Sequence, residues 1–224
     1  MIAAVRARVT RRRDDAKGDE GMTLVELIVA MGIFSVVLVV FMAAVSTMAQ
    51  TTVKSQASSD ASSQLRTVFQ RFDKELRYAS DINTPGTAGG SIYVEYWVPQ
   101  NAGTGESQCV QWRYVKSTNE LQRRTWEQGD PASVTSWRTM VTGLRNNLSL
   151  TAQQPFTVHR AGTIGSKVYL HQSLDIFLDA GMGTSGDTRG SQLAVSFVAQ
   201  NSSTASLTNP GVTKVCLTGS VQRP

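Results

Sequence analysis

The hydrophobic residues divide the chain into stretches with different patterns. Almost every residue from Met22 to Ala49 is apolar, and the part from Leu27 to Ala49 contains no charged residue. A helix of that length rises about 35 Å, which is enough to cross a hydrocarbon layer of about 30 Å. We therefore predict one membrane-spanning helix close to the N-terminus.

A second pattern begins at Lys54, where polar residues return but apolar residues recur every three or four positions. That spacing is typical of one face of a helix, and no proline interrupts the chain before Pro85. We predict one continuous helix from about Thr23 to Ala79, apolar all round at first and amphipathic afterwards. The apolar stripe of its second part consists of Ala57, Ala61, Leu65, Val68, Phe69, Phe72, Leu76 and Ala79.

After Pro85 the apolar residues alternate with polar ones, which predicts β-strands. The strand segments are SIYVEYWV, QCVQWRYVK, ELQRRTW, KVYLHQSLDIFL, QLAVSFVAQ and VTKVCLTG, of which the second and third form a hairpin. A helix that packs its apolar stripe on such strands gives an α+β fold: a long N-terminal α-helix on a C-terminal antiparallel β-sheet head.

The charges orient the predicted membrane helix. Lysine and arginine outnumber aspartate and glutamate by 22 to 17, and Arg11, Arg12 and Arg13 precede the apolar stretch. By the positive-inside rule, residues 1–21 stay in the cytoplasm and the remainder lies outside it. No basic block follows Arg13, so the sequence predicts no direct binding of nucleic acid.

Three simple explanations of the apolar stretch remain open at this point. It could be a secretory signal cut near Thr47-Met48-Ala49, an uncut one-pass anchor, or a buried core helix.

Glu26 distinguishes the stretch from a simple anchor. A carboxylate in hydrocarbon costs about 2.5–3.5 kcal/mol on insertion scales. The chain has no lysine or arginine between Leu24 and Val53 to neutralise it. Cleavage between Gly21 and Met22 would create an α-amino group, and the amine of a neighbouring copy would be the natural partner for this carboxylate.

The residues GMTLVELI over positions 21–28, followed by the long apolar stretch, resemble the type III signal of type IV prepilins and pseudopilins. The resemblance implies that a prepilin peptidase cleaves after Gly21 and that the new terminus, Met22, is methylated. It implies that Glu26, with Thr23 beside it, directs assembly of the subunit into a filament.

The same resemblance implies a domain organisation and a set of partners. A leader over residues 1–21 is removed, residues 22–53 form the membrane and filament-core helix, residues 54–84 continue it as an amphipathic helix, and residues 85–224 form the head. The partners are the prepilin peptidase, other pilin or pseudopilin subunits, the inner-membrane assembly platform and the lipid bilayer. The segment QLRTVFQRFDKELRYASDI and the hairpin after it resemble larger minor pilins and J-type minor pseudopilins, and the size of the head agrees with a minor subunit.

The head offers no residues for catalysis. We find no nucleophile motif or paired carboxylates, and we predict neither an enzyme nor a cofactor. Cys109 and Cys216 are predicted to form a disulfide, since both lie in an exported domain. Asp179 and Asp187 flank a glycine-rich loop that is a weak calcium candidate, although a simple hairpin end fits it better. The alternative function is a monomeric, membrane-anchored binding protein outside the cytoplasm.

Overall fold

The computed structural model describes residues 22–99, 105–217 and 223. The chain divides into two compact units, Met1–Ala49 and Gln50–Pro224. One helix, α1 (Leu24–Leu76), contributes to both units. The single continuous helix predicted from the sequence is confirmed, and it ends in a turn at Arg77 and Tyr78, just before the predicted limit at Ala79.

The first part of α1 is apolar and every side chain in it is exposed. Its few hydroxyl groups bond within the helix, where Ser35, Ser46 and Thr47 donate to the carbonyl groups four residues earlier at 2.8–2.9 Å. These bonds satisfy the polar groups without water, as an apolar environment requires.

Within its described residues, the head is built from antiparallel strands in three sheets. The strands are β1 (Asp81–Ile82), β2 (Gly86–Ala88), β3 (Ser91–Val98), β4 (Gln108–Val115), β5 (Glu120–Glu127), β6 (Arg138–Val141), β7 (Phe156–His159), β8 (Gly162–Ile164), β9 (Lys167–Tyr169), β10 (Ser173–Gly181) and β11 (Gly190–Val198). The large sheet has the order β1-β3-β4-β5-β6, with β2 also paired to β3. The small sheet has the order β11-β10-β7, and β8 with β9 forms a separate hairpin.

The second part of α1 packs on both larger sheets, as its apolar stripe predicts. Phe72 is fully buried, and its ring stacks on that of Trp112 in β4 with the centroids 4.2 Å apart. The same ring lies 5.9 Å from that of Phe197 in β11. Five buried residues of the helix, Ala61, Leu65, Val68, Phe72 and Leu76, belong to the predicted stripe. Phe69, also predicted to belong to it, is 38% exposed, and Glu75 is buried although it lies outside the stripe.

A buried ionic group anchors the end of α1 to the large sheet. Glu75, only 8% exposed, accepts a hydrogen bond from the Tyr96 hydroxyl at 2.6 Å and pairs with Arg123 at 2.6 Å. Trp112 donates its ring N–H to the same Tyr96 oxygen. Because each polar group has a partner, the charge is held in the core at a much lower cost than an isolated one.

The disulfide between Cys109 and Cys216 is present, as the sequence predicts. It joins β4 to the segment near the C-terminus across 107 residues, a loop whose closure restricts the unfolded chain strongly. The predicted strand around Cys216 is wrong for the described residues 212–217, which form bends and irregular backbone. Cys216 has a positive φ of 68°, and the backbone of Val215 bonds to the side chain of Asn83 instead of to a strand.

The predicted single strand over KVYLHQSLDIFL is also wrong, because it divides into β9 and β10. Val168 and Leu170 are about 70% exposed, whereas Leu174 is buried. The interruption comes at His171 and Gln172. The buried Gln172 side chain accepts a hydrogen bond from the Ile82 N–H, and its backbone N–H donates to Ser202.

We expect Phe72→Ala to lower the free energy of unfolding by about 3–5 kcal/mol, since it removes the ring that joins both sheets to α1. The matched control is Phe69→Ala, because Phe69 is 38% exposed and contacts Phe197 alone among aromatic rings of the described residues. Denaturant unfolding of both variants measures the difference. An equal loss for the two would show that Phe72 does not have this central role.

Candidate functional site

The sequence places the candidate site at the start of α1. Gly21, the predicted cleavage residue, lies outside the described residues. Met22 and Thr23 precede the helix, and Glu26 lies in its first turn. All three are exposed, and Met22 is 66% exposed. The site is therefore an accessible helix terminus, and the sequence predicts the cut directly before it.

Thr23 caps the helix. Its hydroxyl oxygen accepts a hydrogen bond from the Glu26 N–H at 3.2 Å, and its carbonyl accepts the first helical bond from Leu27 at 3.1 Å. Threonine followed three residues later by glutamate is the capping-box pattern. The residues TLVE therefore carry a signal for this capping role, which is separate from the assembly role predicted for Thr23.

The carboxylate of Glu26 makes no hydrogen bond or ion pair within the described residues 22–99, 105–217 and 223. The cap uses the backbone of Glu26 and leaves its side chain for other contacts. The next cation along the chain from Leu24 is Lys54, about 40 Å further along the helix. A carboxylate at a helix N-terminus is favoured by the helix dipole, but that effect is only about 0.3–1 kcal/mol.

The side chains that follow Glu26 form an unburied apolar surface. α1 is the one helix, among the described residues, that is long and apolar enough to cross a membrane by length and composition. Its apolar window is wholly exposed within the chain, as is each large residue such as Phe34 and Phe41. This surface has no partner in the described part of the chain, so burial must come from lipid or from other molecules.

In the second candidate, the loop between Asp179 and Asp187, each carboxylate bonds to an arginine from outside the loop. Asp179, fully buried, accepts from Arg145 at 2.6 Å and also from Ser185, Gly186 and Gln192. Asp187 instead pairs with Arg189 at 2.7 Å. These contacts fit a closed hairpin end, and calcium binding by Asp179 and Asp187 stays an untested, weak prediction.

The arginines also affect the acidity of the two carboxyl groups. Burial by itself raises the pKa of Asp179, but the hydrogen bonds from Arg145, Gly186, Gln192 and Ser185 outweigh burial and hold that pKa below its usual value. Hydrogen bonds from Arg189 lower the pKa of Asp187 to about 2. Both groups therefore favour the folded chain when they are ionised.

We expect stability to fall as the pH drops below about 4, partly through Asp179. A carboxyl group with a lowered pKa stabilises the fold above its unfolded value, about 3.9, and this contribution is lost as the pH falls through the folded value. Asp179→Asn should therefore reduce the change in the urea midpoint between pH 5 and pH 3. The control Asp60→Asn, at an exposed helix position, should keep the wild-type change. An unchanged pH dependence in Asp179→Asn would contradict the assignment.

Comparison with known proteins identifies the N-terminal segment. The family model of the prokaryotic N-terminal methylation motif matches residues 17–42. No curated protein and no solved structure matches the chain. The matched range contains Gly21, Met22, Thr23 and Glu26, together with the exposed apolar surface as far as Met42. The chain thus carries the N-terminal signature of type IV prepilins at residues 17–42.

Proposed function

We propose that the chain is a structural subunit of a type IV pilus or of a related secretion pseudopilus. Prepilin peptidase cuts it after Gly21, Met22 is methylated, and the subunit enters a filament through the apolar part of α1. In the filament, the Glu26 carboxylate pairs with the N-terminal amine of a neighbouring subunit. The observation that carries the proposal is the unpartnered Glu26 carboxylate in the first turn of an exposed apolar helix.

Charge and burial support intermolecular pairing. An isolated carboxylate in hydrocarbon costs about 2.5–3.5 kcal/mol, and a cation beside it offsets much of that cost. Cleavage supplies a cation at Met22, in the same layer as Glu26. Along one helix, Glu26 lies about one turn beyond the N-terminal amine of its own subunit. The amine of an adjacent subunit that is shifted along the helix axis therefore approaches the Glu26 carboxylate more directly.

The apolar surface supports assembly over a monomeric role. A lipid bilayer alone satisfies an apolar helix, which is the basis of the alternative, a single-pass anchored binding protein. A plain anchor has no use for a carboxylate in its apolar segment, and it does not need the methylation motif at residues 17–42. We therefore place filament assembly first and the anchored monomer second.

Features of the head support its location outside the cytoplasm and a minor role for the subunit in the filament. The disulfide between Cys109 and Cys216 forms in oxidising compartments, and the arginines of the leader favour retention of residues 1–21 inside the cell. The proposal of a minor role rests on the resemblance to prepilins and on the size of the head, residues 85–224.

We expect Gly21→Leu to block cleavage, because the peptidase site must accept a residue without a side chain at this position. Mass spectrometry of the chain recovered from membranes should find methylated Met22 at the terminus of the wild type and an intact leader in the variant. The leader contains a matched control, Gly18→Leu, which should be cut normally. An intact leader on the functional wild-type chain would support the anchored monomer, and a terminus near Val45 to Gln50 would indicate a secretory signal.

We expect Glu26→Ala to be cleaved at Met22 but to be absent from filaments, with at least about a tenfold loss from the sheared filament fraction. The reason is that the variant leaves the neighbouring amine without its counter-charge in an apolar layer, at a cost of more than about 1.4 kcal/mol. Asp60→Asn, which changes another exposed carboxylate of α1, serves as the control and should assemble normally. Normal recovery of Glu26→Ala in filaments would contradict the assembly role.

A further inference from the structure

A guanidinium group fills a cradle on the large sheet. The cradle consists of Asn83, Thr84, Gly86, Glu95 and Gln111, and its occupant is the side chain of Arg223. Glu95 lies in the middle of β3, where its neighbours Val94 and Tyr96 belong to the core beneath α1. Because side chains alternate along a strand, Glu95 points to the face of the sheet away from α1.

Arg223 meets the Glu95 carboxylate through two parallel hydrogen bonds. Its Nε donates to Oε1 at 3.0 Å, and its Nη2 donates to Oε2 at 2.6 Å. The same Nη2 also donates to the backbone carbonyl of Thr84 at 2.7 Å. A planar guanidinium presents donors in this fixed arrangement, whereas the ammonium group of lysine does not. The cradle therefore has the geometry to select arginine.

The burial of Glu95 makes a cation necessary. Its side chain is fully buried, and that of Arg223 is 12% exposed. The other side-chain partners of the carboxylate are the uncharged amides of Asn83, at 3.1 Å, and Gln111, at 2.9 Å. Arg223 is its one ion-pair partner among the described residues. A buried carboxylate that loses its cation is strongly disfavoured, so an empty cradle would attract another cation.

The cradle is held in shape by contacts that do not involve Arg223. The Asn83 amide exchanges two hydrogen bonds of 2.9 Å with the backbone of Val215. The Gln111 oxygen accepts from Arg124 Nε at 2.6 Å, so its NH₂ group must face Glu95. The carboxylate therefore keeps its orientation when the guanidinium leaves.

Gly86 provides the space for the guanidinium. A Cβ atom on this residue would overlap Nη1 of Arg223. Gly86 pairs with Tyr93 in the sheet, and it is not among the residues with a positive φ. The position could thus accept a side chain as far as its backbone is concerned, and the bound guanidinium is what requires glycine.

We propose that the cradle is a binding site for a guanidinium group. Arg223 occupies it within the chain. When the side chain of Arg223 is removed, the cradle takes up an arginine side chain of another polypeptide or a free alkylguanidinium. The site does not depend on Met22 or Glu26, so it stands apart from the proposed function.

Arg223 competes well for the site because it is tethered beside it. The disulfide joins Cys216 to Cys109 in β4, and Arg223 follows Cys216 by seven residues. A ligand on a short tether has an effective concentration in about the millimolar range. A free ligand at low millimolar concentration should therefore have little effect on the wild type.

The test uses the full-length, disulfide-bonded variant Arg223→Ala in detergent. Ethylguanidinium at low millimolar concentration should raise its urea midpoint in a saturable way, because a ligand that binds only the folded chain stabilises it. Ethylammonium at equal ionic strength should bind at least about tenfold more weakly, since it lacks the paired donors. The capped peptide VQRP, which has the sequence of residues 221–224, should act like ethylguanidinium, and VQKP should not.

Two double variants serve as controls. Arg223→Ala with Gly86→Ala keeps the carboxylate but fills the place of Nη1, so it should not respond to ethylguanidinium. Arg223→Ala with Glu95→Gln removes the buried charge, so it should be more stable than Arg223→Ala alone and should not respond either. Where Arg223→Ala does not fold by itself, its yield on refolding with ethylguanidinium against ethylammonium gives the same comparison.

Three results would overturn the proposal. The first is an equal effect of ethylguanidinium and ethylammonium on Arg223→Ala. The second is the same response in the double variant that contains Glu95→Gln. The third is a urea midpoint of Arg223→Ala equal to that of the wild type, which would show that Glu95 does not need the cation.

Discussion

The structure depends on an apolar helix surface that none of the described residues covers. From Met22 to Ala49 the side chains of α1 are exposed, and a single carboxylate, Glu26, lies at the start of this surface. Removing such an area from water requires lipid or other apolar helices. The carboxylate sets a second requirement, since it must meet a cation in the same layer. The proposed filament assembly would meet both requirements, since neighbouring helices would cover the apolar surface and the amine formed by cleavage before Met22 would pair with the carboxylate.

The remainder of the chain forms a folded domain on the second part of α1. The same helix changes from an all-round apolar surface to a single apolar stripe, and the stripe packs on two sheets through Phe72 and Leu65. Ionic and hydrogen-bond contacts of Glu75 hold the end of the helix on the large sheet. The disulfide joins β4 of that sheet to the segment around Cys216. The methylation motif covers residues 17–42 and leaves the head without a matched relative.

How well the sequence predicts each part depends on the range of the interactions that determine it. The motif around Glu26, the helix stripe and the hairpin of β4 and β5 rest on local patterns, and the structure contains the helix and the hairpin. The break at Gln172 and the irregular segment at Cys216 depend on distant partners, Ser202 and Asn83. Glu75 falls among polar helix residues, and only the fold brings Tyr96 and Arg123 to it.

Zero-length cross-linking tests the central claim most directly. Filaments assembled from an equal mixture of ¹⁴N- and ¹⁵N-labelled subunits are treated with an apolar carbodiimide, which joins carboxylates to adjacent amines. Mass spectrometry then reads the peptide pair that contains Glu26. We predict a covalent link between Glu26 of one isotope and the Met22 terminus of the other. Links confined to a single isotope, or a Glu26 peptide without any link to Met22, would contradict the account.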